Sequence, residues 1–155
     1  MSHLRPLYFN GKNQHAETPD NVKHQIREMF GDYYDPCPAN PIKDGLKGDW
    51  DGEVCYCNPP FKDSEVWLKK CEEQAKKGKL VVALVPFRSN ANWVHDRIIL
   101  NPYCHEIVFV RQGIKFKGFK RKSPFPLCLA IYKGKPRSGH SAKNSSINFY
   151  ENVAS

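Results

Sequence analysis

The apolar residues of this chain follow helical spacing in some segments and form short unbroken runs in others. A first helix is predicted to begin at Thr18-Pro19-Asp20, where a hydroxyl can cap the first turn, proline fits its backbone and an acid meets the positive helix end. Gly31 is typical of a helix end. The apolar positions between these signals recur at helical spacing: Val22, Ile26, Met29 and Phe30.

Strand-like and helix-like segments alternate along the rest of the chain. Residues 32–39 favour a brief strand that ends in a turn at Asp35-Pro36, and the polar residues 40–52 are typical of a loop. Residues 80–85 (LVVALV) are all apolar, which suits a central strand covered on both faces. The remaining predicted elements are strands at 53–57, 106–110 and 127–132, a helix capped by Ser64 that ends near Gly78, and a helix at 90–100.

This alternation predicts an α/β sandwich with a largely parallel sheet, and 155 residues are enough for one domain. Residues 1–16 are expected to form an irregular arm, and the Lys-, Ser- and Asn-rich residues 134–155 a mobile polar tail. Ligands of such sheets bind beyond the carboxyl ends of the strands. The loops after Tyr34 and after Cys57 are therefore expected to lie side by side at a binding site.

The charge of the chain points to a polyanionic partner. Its formal net charge is +8 and its pI about 9.2, which favours nucleic acid, although a solvated basic surface has the same signature. Residues 115–122 (KFKGFKRK) interleave cations with Phe116 and Phe119, as a nucleic-acid strand would favour; a solvated hairpin tip is the alternative. The candidate phosphate contacts are Arg88, Arg97, Arg111, Lys115, Lys117, Lys120, Arg121 and Lys122.

The cysteines favour a reducing compartment. Several of the six lie in apolar strand-like runs, where a reduced thiol behaves as a small hydrophobe. With no apolar leader and no run long enough to span a membrane, we expect an intracellular, cytoplasmic protein. The spacing of Cys55-Tyr56-Cys57 and Cys104-His105 does not fit the usual zinc clusters, so no metal is expected.

The stretch Asn58-Pro59-Pro60-Phe61 follows a predicted strand and carries the most specific chemistry. Two prolines fix the backbone and cannot donate hydrogen bonds, so this loop is stiff. The side-chain oxygen of Asn58 and the carbonyl of Pro59 are two neighbouring acceptors, which suit an amino group with two N–H donors. Phe61 offers a flat face for a planar ring. A strand-ending turn with a surface aromatic is the simpler interpretation.

These residues resemble the catalytic [DN]-P-P-[FYW] motif of amino-group methyltransferases, and the chain as a whole resembles the phage-type DNA N-6-adenine-methyltransferase (Dam) family over about residues 15 to 133. An Asn in the first place is usual for adenine N6 enzymes. The other blocks that carry the resemblance are Thr18-Pro19, Asp35-Pro36-Cys37, Gly45-Leu46 with Trp50, Leu84-Val85-Pro86 with Arg88, Gly113-Ile114-Lys115-Phe116 and Ser123-Pro124-Phe125-Pro126.

The resemblance implies an abbreviated Rossmann-like methyltransferase domain at residues 17–133, with S-adenosylmethionine as cofactor and the N6 amine of adenine in DNA, most simply double-stranded, as target. It implies that residues 58–61 surround the target base. The cofactor would be bound by Asp35, Pro36 and Cys37, with Thr18 and Pro19 closing over its methionine end and Trp50 either stacking on its adenine or packing in the core.

The chain also departs from the pattern. It has no glycine-rich FxGxG loop, so Asp-Pro-Cys-Pro-Ala must replace it, and the ribose ligand stays open among Asp44, Asp49 and Asp51. Ile114 stands where many relatives have arginine. Two other functions stay open: an RNA adenine methyltransferase, and a noncatalytic nucleic-acid-binding module. A glutamine methyltransferase has a similar motif but does not explain the basic charge.

Overall fold

A five-stranded sheet organises the chain, whose computed structural model describes residues 16–39, 41 and 43–151. The strands are β1 (Val54–Cys57), β2 (Leu80–Pro86), β3 (Cys104–Val110), β4 (Leu127–Tyr132) and β5 (Lys143–Ile147). Their order across the sheet is β1-β2-β4-β3-β5. Outside β1, Tyr34 adds one parallel bridge to Cys55. The predicted arm lies, apart from Ala16, outside the described residues.

The sheet is mixed rather than largely parallel, which corrects the prediction from the sequence. β1 pairs with β2 and β3 pairs with β5 in parallel, but β4 runs antiparallel to both of its neighbours. The prediction extended the strand–helix alternation to β4, but β4 follows β3 without a helix between them, and neighbouring strands joined in this way pair antiparallel. Its six buried residues, LCLAIY, have the unbroken apolar character that a strand shows when both faces are covered, whatever its direction.

Helices cover both faces of the sheet. On one face α2 (Ser64–Lys76) packs with Leu68, Cys71 and Ala75, one helical turn apart, and a short helical segment, α3 (Asn92–Val94) continuing as a π-helical turn at His95–Ile99, completes the layer with Ile98. On the other face α1 (Asp20–Phe30) buries Val22 and Ile26 against alternate residues of the same strands. No helix within the described residues is long and apolar enough to cross a membrane.

The helix ends differ in detail from the sequence signals. Thr18 and Ser64 do not cap α1 and α2, since neither helix has a side-chain cap. The Pro19 carbonyl instead accepts from the amides of Val22 and Lys23, both at 3.1 Å, and the Ser64 hydroxyl donates to the carbonyl of Phe61 at 2.7 Å. The Thr18 hydroxyl contacts the side chains of Asn58 and Tyr56 instead.

The strand β5 replaces part of the predicted mobile tail. Residues 143–146 are polar, but residues 143–147 pair with the outer side of β3 through backbone groups, which need no apolar side chains. Phe149 then anchors the segment, because its ring is buried in the α1 layer and its carbonyl accepts from Gln25 Nε2 at 2.8 Å. The polar composition of the tail outweighs the few apolar residues, among them Phe149, that pack on the core.

We expect Phe149→Ala to lower the free energy of unfolding by about 3–5 kcal/mol, because it leaves a cavity in a closed apolar layer. Chemical denaturation followed by circular dichroism measures this change. Asn144→Ala, at an exposed position of β5, is the matched control and is expected to stay within about 0.5 kcal/mol of the parent. Equal values for the two variants would show that the tail is not docked as described.

Candidate active site

The site lies at the carboxyl edge of the sheet, which is formed by strand ends and not by an outer strand. β1, β2, β3 and β5 all end at this edge, and the antiparallel β4 begins there, since Pro86 pairs with Leu127 and Phe109 with Cys128. Asn58 directly follows β1, and the loop 35–39 follows the Tyr34 bridge. The two loops that the topology predicts as neighbours are therefore neighbours in the fold.

A cavity of about 460 Å³ opens between these loops. This volume falls within the roughly 300–1,000 Å³ of small-molecule sites. Most of its lining is apolar, with one cation and one carboxylate from the loop that precedes β1. The lining residues are Pro36, Cys37, Pro38, Pro41, Lys43, Asp44, Gly45, Pro60 and Trp67.

Gly45 holds the cavity wall in place by a close approach to the opposite loop. A Cβ atom at this position would lie 1.9 Å from the carbonyl oxygen of Pro36 and 2.8 Å from the Trp67 ring. No side chain fits against a backbone oxygen at that distance. The absence of a side chain at Gly45 therefore lets the polar loop pack against the Pro36 turn, and the glycine of the Gly45-Leu46 block has a steric reason.

The thiol of Cys37 faces this cavity as a neutral group. Burial, and then the nearby carboxylate of Asp35, raise its pKa to about 12. Asp35 itself shapes the loop, because its Oδ1 accepts from the Cys37 amide at 2.9 Å. At neutral pH Cys37 is thus an apolar lining residue rather than a nucleophile. Within the described residues no group of three or more potential ligands could hold a metal ion.

Asn58 is buried, and its amide group has one paired end and one unpaired end. Nδ2 donates to the carbonyl oxygen of Ala16 at 2.7 Å and to Thr18 Oγ1 at 3.0 Å. Because the Ala16 carbonyl can only accept, the nitrogen must lie on this side. Oδ1 is buried and has no hydrogen-bond partner among the residues that the structure describes. A buried acceptor without a donor is rare and costs free energy, so Oδ1 is available to accept a hydrogen bond from a bound group.

The partners of Asn58 form a short buried network. Thr18 Oγ1 lies 2.9 Å from Tyr56 Oη, in a contact where either oxygen can donate. Burial raises the pKa of Tyr56 well above its ordinary value, so this hydroxyl stays neutral. Thr18 and Pro19, predicted to close over a cofactor, lie apart from the cavity lining, and the side chain of Thr18 contacts Asn58 instead.

Phe61 lies in a single 3-10 turn, Phe61–Asp63, which the Pro60 carbonyl starts by accepting from the Asp63 amide at 2.9 Å. Its ring is only 9 % exposed and packs edge-on against Phe116, with 6.0 Å between ring centroids. The contact joins the loop after β1 to the basic loop between β3 and β4. Phe116 is therefore a core residue, as is Ile114, which is fully buried.

Of the two roles left open for Trp50, stacking on a cofactor or packing in the core, the structure shows the second, and Trp67 lines the cavity instead. Trp50 is a core residue whose Nε1 donates to the Gly45 carbonyl at 2.7 Å, so it supports the cavity wall from behind. Trp67 lines the cavity from α2. Its helical spacing with Leu68 and Cys71 predicts a core position, and the sequence carries no signal that one edge of it is also a cavity wall.

The three carboxylates that the sequence offers as ribose ligands lie in different environments. Asp49 pairs with Lys77 at 2.5 Å and accepts from Gln74, and these bonds lower its pKa. Asp44 lines the cavity, where its Oδ1 also accepts from the Leu46 amide at 2.9 Å. Asp51 is exposed on the approach to β1 and is not part of the lining. Asp44 is thus the carboxylate that the fold brings to the cavity.

The candidate phosphate contacts gather at the same edge of the sheet, with one exception. Arg88 follows β2, Arg111 follows β3, and the residues between 115 and 122 occupy the loop that leads to β4. Arg97 belongs to the π-helical turn on the α2 face, where it lies 3.9 Å from Glu72. The residues that share the edge are Arg88, Arg111, Lys115, Lys117, Lys120, Arg121 and Lys122.

Lys117 differs from the rest of the cluster because its charge is already paired. Its Nζ lies 3.0 Å from Asp20 and 3.2 Å from Glu17, and these bonds lower the pKa values of both carboxyl groups. Its backbone amide also donates to the Glu17 carbonyl at 3.0 Å. Lys120 and Arg121 are exposed at the tip of the loop. The loop therefore offers cations to solvent at its tip and is tied to the chain before α1 at its base.

Comparison with known proteins gives one match. A model of the DNA N-6-adenine-methyltransferase (Dam) family matches residues 10–123, which is more than half of the 155-residue chain. The matched region contains the loop 35–39, the cavity, Asn58 and the tip of the basic loop. Neither a search of the curated proteins nor a search of the solved structures gave a match.

Proposed function

The chain belongs to the DNA N-6-adenine-methyltransferase (Dam) family, and from this membership we propose that it transfers a methyl group from S-adenosylmethionine to the N6 amine of adenine in DNA. The match confirms the family that the motifs resemble. The unpaired Oδ1 of Asn58 carries the proposal for this chain in particular, because it is a buried acceptor in the loop whose Pro60, two residues on, lines a ligand-sized cavity that Asn58 itself does not line.

We propose the cavity as the cofactor site. S-adenosylmethionine, when bound, supplies an electrophilic methyl carbon on its sulfonium. Pro36, Cys37 and Trp67 offer apolar surface to such a ligand, and Asp44 offers a carboxylate for a ribose hydroxyl. The cavity shares Pro60 with the loop of Asn58, so a cofactor there would lie next to the proposed acceptor.

A Rossmann-like fold is part of the same proposal. The parallel pair β1 and β2 is joined through α2, which packs on the sheet, and the cavity opens beyond the carboxyl end of β1. This is the arrangement that open α/β sheets use for ligands. The loop 35–39 replaces a glycine-rich loop by a different device, since the close approach of two backbones occurs at Gly45 rather than in the loop itself.

Asn58 is proposed to receive the target amine. Its Oδ1 accepts one hydrogen of the amine and the Pro59 carbonyl the other, which turns the nitrogen lone pair toward the methyl donor. As the nitrogen becomes positively charged, both oxygens stabilise it, so their contribution is greatest in the transition state. The proton then leaves to solvent, and no dedicated base is needed. Phe61 is proposed to stack on the base, and its ring must become uncovered when the base enters.

DNA is proposed to bind along the basic edge. The amine of adenine is inside the duplex, so the base must be flipped out, at a cost of a few kcal/mol. Phosphate contacts from the exposed cations of this edge offset that cost. Because the basic loop and the Asn58 loop meet at the Phe61–Phe116 contact, a strand held by the cations would pass close to the acceptor.

The direct test is incubation with S-adenosylmethionine that carries a tritiated methyl group, with unmethylated duplex DNA, followed by digestion to nucleosides. We expect label in N6-methyladenine, and a loss of turnover of about 100-fold or more in Asn58→Ala with cofactor affinity nearly unchanged. Label on matched RNA alone would replace DNA by RNA as substrate. Failure of the parent protein to bind S-adenosylmethionine by calorimetry would refute the proposal.

The paired state of Lys117 predicts unequal contributions within the basic loop. Lys120→Ala and Arg121→Ala are each expected to reduce the slope of log affinity for DNA against log salt by about 0.9, the value for one phosphate contact. Lys117→Ala is expected to change it by less, because Glu17 and Asp20 already neutralise that charge. Lys133, at the opposite end of β4, is the matched control, and its replacement by Ala is expected to have no effect.

Fluorescence anisotropy with a labelled duplex over a series of salt concentrations provides these slopes. If Lys133→Ala reduces the slope as much as Lys120→Ala does, the DNA is not confined to the basic edge. If Lys117→Ala has the full effect of Lys120→Ala, the ion pairs of Lys117 with Glu17 and Asp20 do not hold in solution.

A further inference from the structure

We infer that Thr18 is a positioning residue for Asn58: its hydroxyl, fixed by Tyr56, fastens the amide nitrogen so that the amide oxygen faces the target amine. The inference rests on the proposed function for the meaning of that orientation. It assigns to Thr18 a role different from the cofactor contact expected from the sequence. The observations behind it are a chain of three short contacts between buried groups.

The orientation of the Asn58 amide is decided by its two acceptors. An asparagine side chain can turn by half a revolution and exchange its nitrogen and oxygen with little steric change. Here such a turn would place Oδ1 against the Ala16 carbonyl at 2.7 Å and against the Thr18 hydroxyl. Two facing acceptor oxygens repel each other, so the Ala16 carbonyl excludes the turned state. Thr18 supplies the second acceptor and thereby fixes the plane of the amide.

The contact with Tyr56 leaves the Thr18 oxygen an acceptor toward Asn58, whichever of the two hydroxyls donates. Thr18 Oγ1 accepts from Asn58 Nδ2. In the contact of 2.9 Å with Tyr56 Oη, Thr18 either donates its own hydroxyl proton or accepts the proton of Tyr56. Both arrangements leave Thr18 an acceptor toward Asn58. Thr18 and Tyr56 are both buried, and Tyr56 also packs against Tyr33 with 5.2 Å between ring centroids. The network is therefore closed on the side away from the unpaired oxygen.

The network spans two elements that would otherwise be independent. Tyr56 and Asn58 belong to β1 and its loop, whereas Ala16 and Thr18 lead into α1. Residues two apart on an extended chain point to the same side, which explains why Tyr56 and Asn58 both reach Thr18. A sequence motif with Thr two residues before a helix is usually interpreted as a cap, and this structure gives the hydroxyl another partner.

The test compares variants by steady-state kinetics of methyl transfer. Thr18→Val keeps the shape and removes the acceptor, so we expect kcat to fall by about 10- to 100-fold with KM for DNA and Kd for cofactor within threefold of the parent. Thr18→Ser restores the hydroxyl and is expected to recover kcat to within about threefold. A purely structural role would move both variants together, or would change stability without this difference between kcat and KM.

Two tyrosine variants keep the test decisive if Thr18→Val does not fold. Tyr56→Phe removes the anchor of the Thr18 hydroxyl and is expected to lower kcat by about three- to tenfold. Tyr132→Phe is the matched control: it is an equally buried tyrosine, but its hydroxyl bonds to the Arg97 carbonyl under α2, away from Asn58. We expect its kcat to stay within twofold of the parent. Equal effects of the two tyrosine variants would overturn the inference.

A spectroscopic measurement separates this inference from the proposed function. In protein with 15N-labelled asparagine, the side-chain NH2 signals of Asn58 are identified by their loss in Asn58→Ser. We expect the exchange of these protons with solvent to accelerate at least tenfold in Thr18→Val or Tyr56→Phe, relative to the parent. An inactive parent with this acceleration would refute the proposed function and keep the positioning role, whereas unchanged exchange in both variants would overturn the positioning role.

Discussion

The antiparallel direction of β4 is the constraint on which the rest of the structure depends. β4 is inserted between β2 and β3, which point the same way, so it begins at the end of the sheet where β2 and β3 finish. The connection from β3 to β4 at this end is the basic loop. The antiparallel direction of β4 therefore keeps the basic loop at the same edge as the cavity and the loop of Asn58, which follows the parallel strand β1.

The parts of this edge are also joined to one another by specific contacts. The basic loop contacts the Asn58 loop through Phe116 and Phe61, and it contacts the segment before α1 through Lys117 and Glu17. That segment in turn supplies the Ala16 carbonyl and the Thr18 hydroxyl to Asn58. A closed circuit of contacts thus surrounds the amide, and each member limits the movement of the next. Such support is what a group needs if its orientation is to contribute to a transition state.

Much of this arrangement could be predicted from the sequence, because the spacing of apolar residues indicates which positions are buried. The runs that became β2 and β4 and the helical spacing of Leu68 and Cys71 are examples. The pairing of β5 and the bonds of Thr18 could not be predicted. Each depends on a partner distant in the chain, which is β3 for the tail and Asn58 for Thr18. The local sequence signals for a mobile tail and for a helix cap are the same whether or not such a distant partner exists.

The central claim is that the unpaired oxygen of Asn58 receives the amine of adenine, and a double-mutant cycle tests it most directly. Binding is measured for the parent and for Asn58→Ala. Each protein is tested with two unmethylated oligonucleotides that contain the sequence in which it methylates adenine. One has adenine at the target position and the other has purine, which lacks the amine. We expect loss of the amine to weaken binding to the parent by about tenfold or more and to change binding to Asn58→Ala by less than about twofold. An equal loss of affinity in both proteins would mean that the amine contacts another group, which would contradict the proposed role of Asn58.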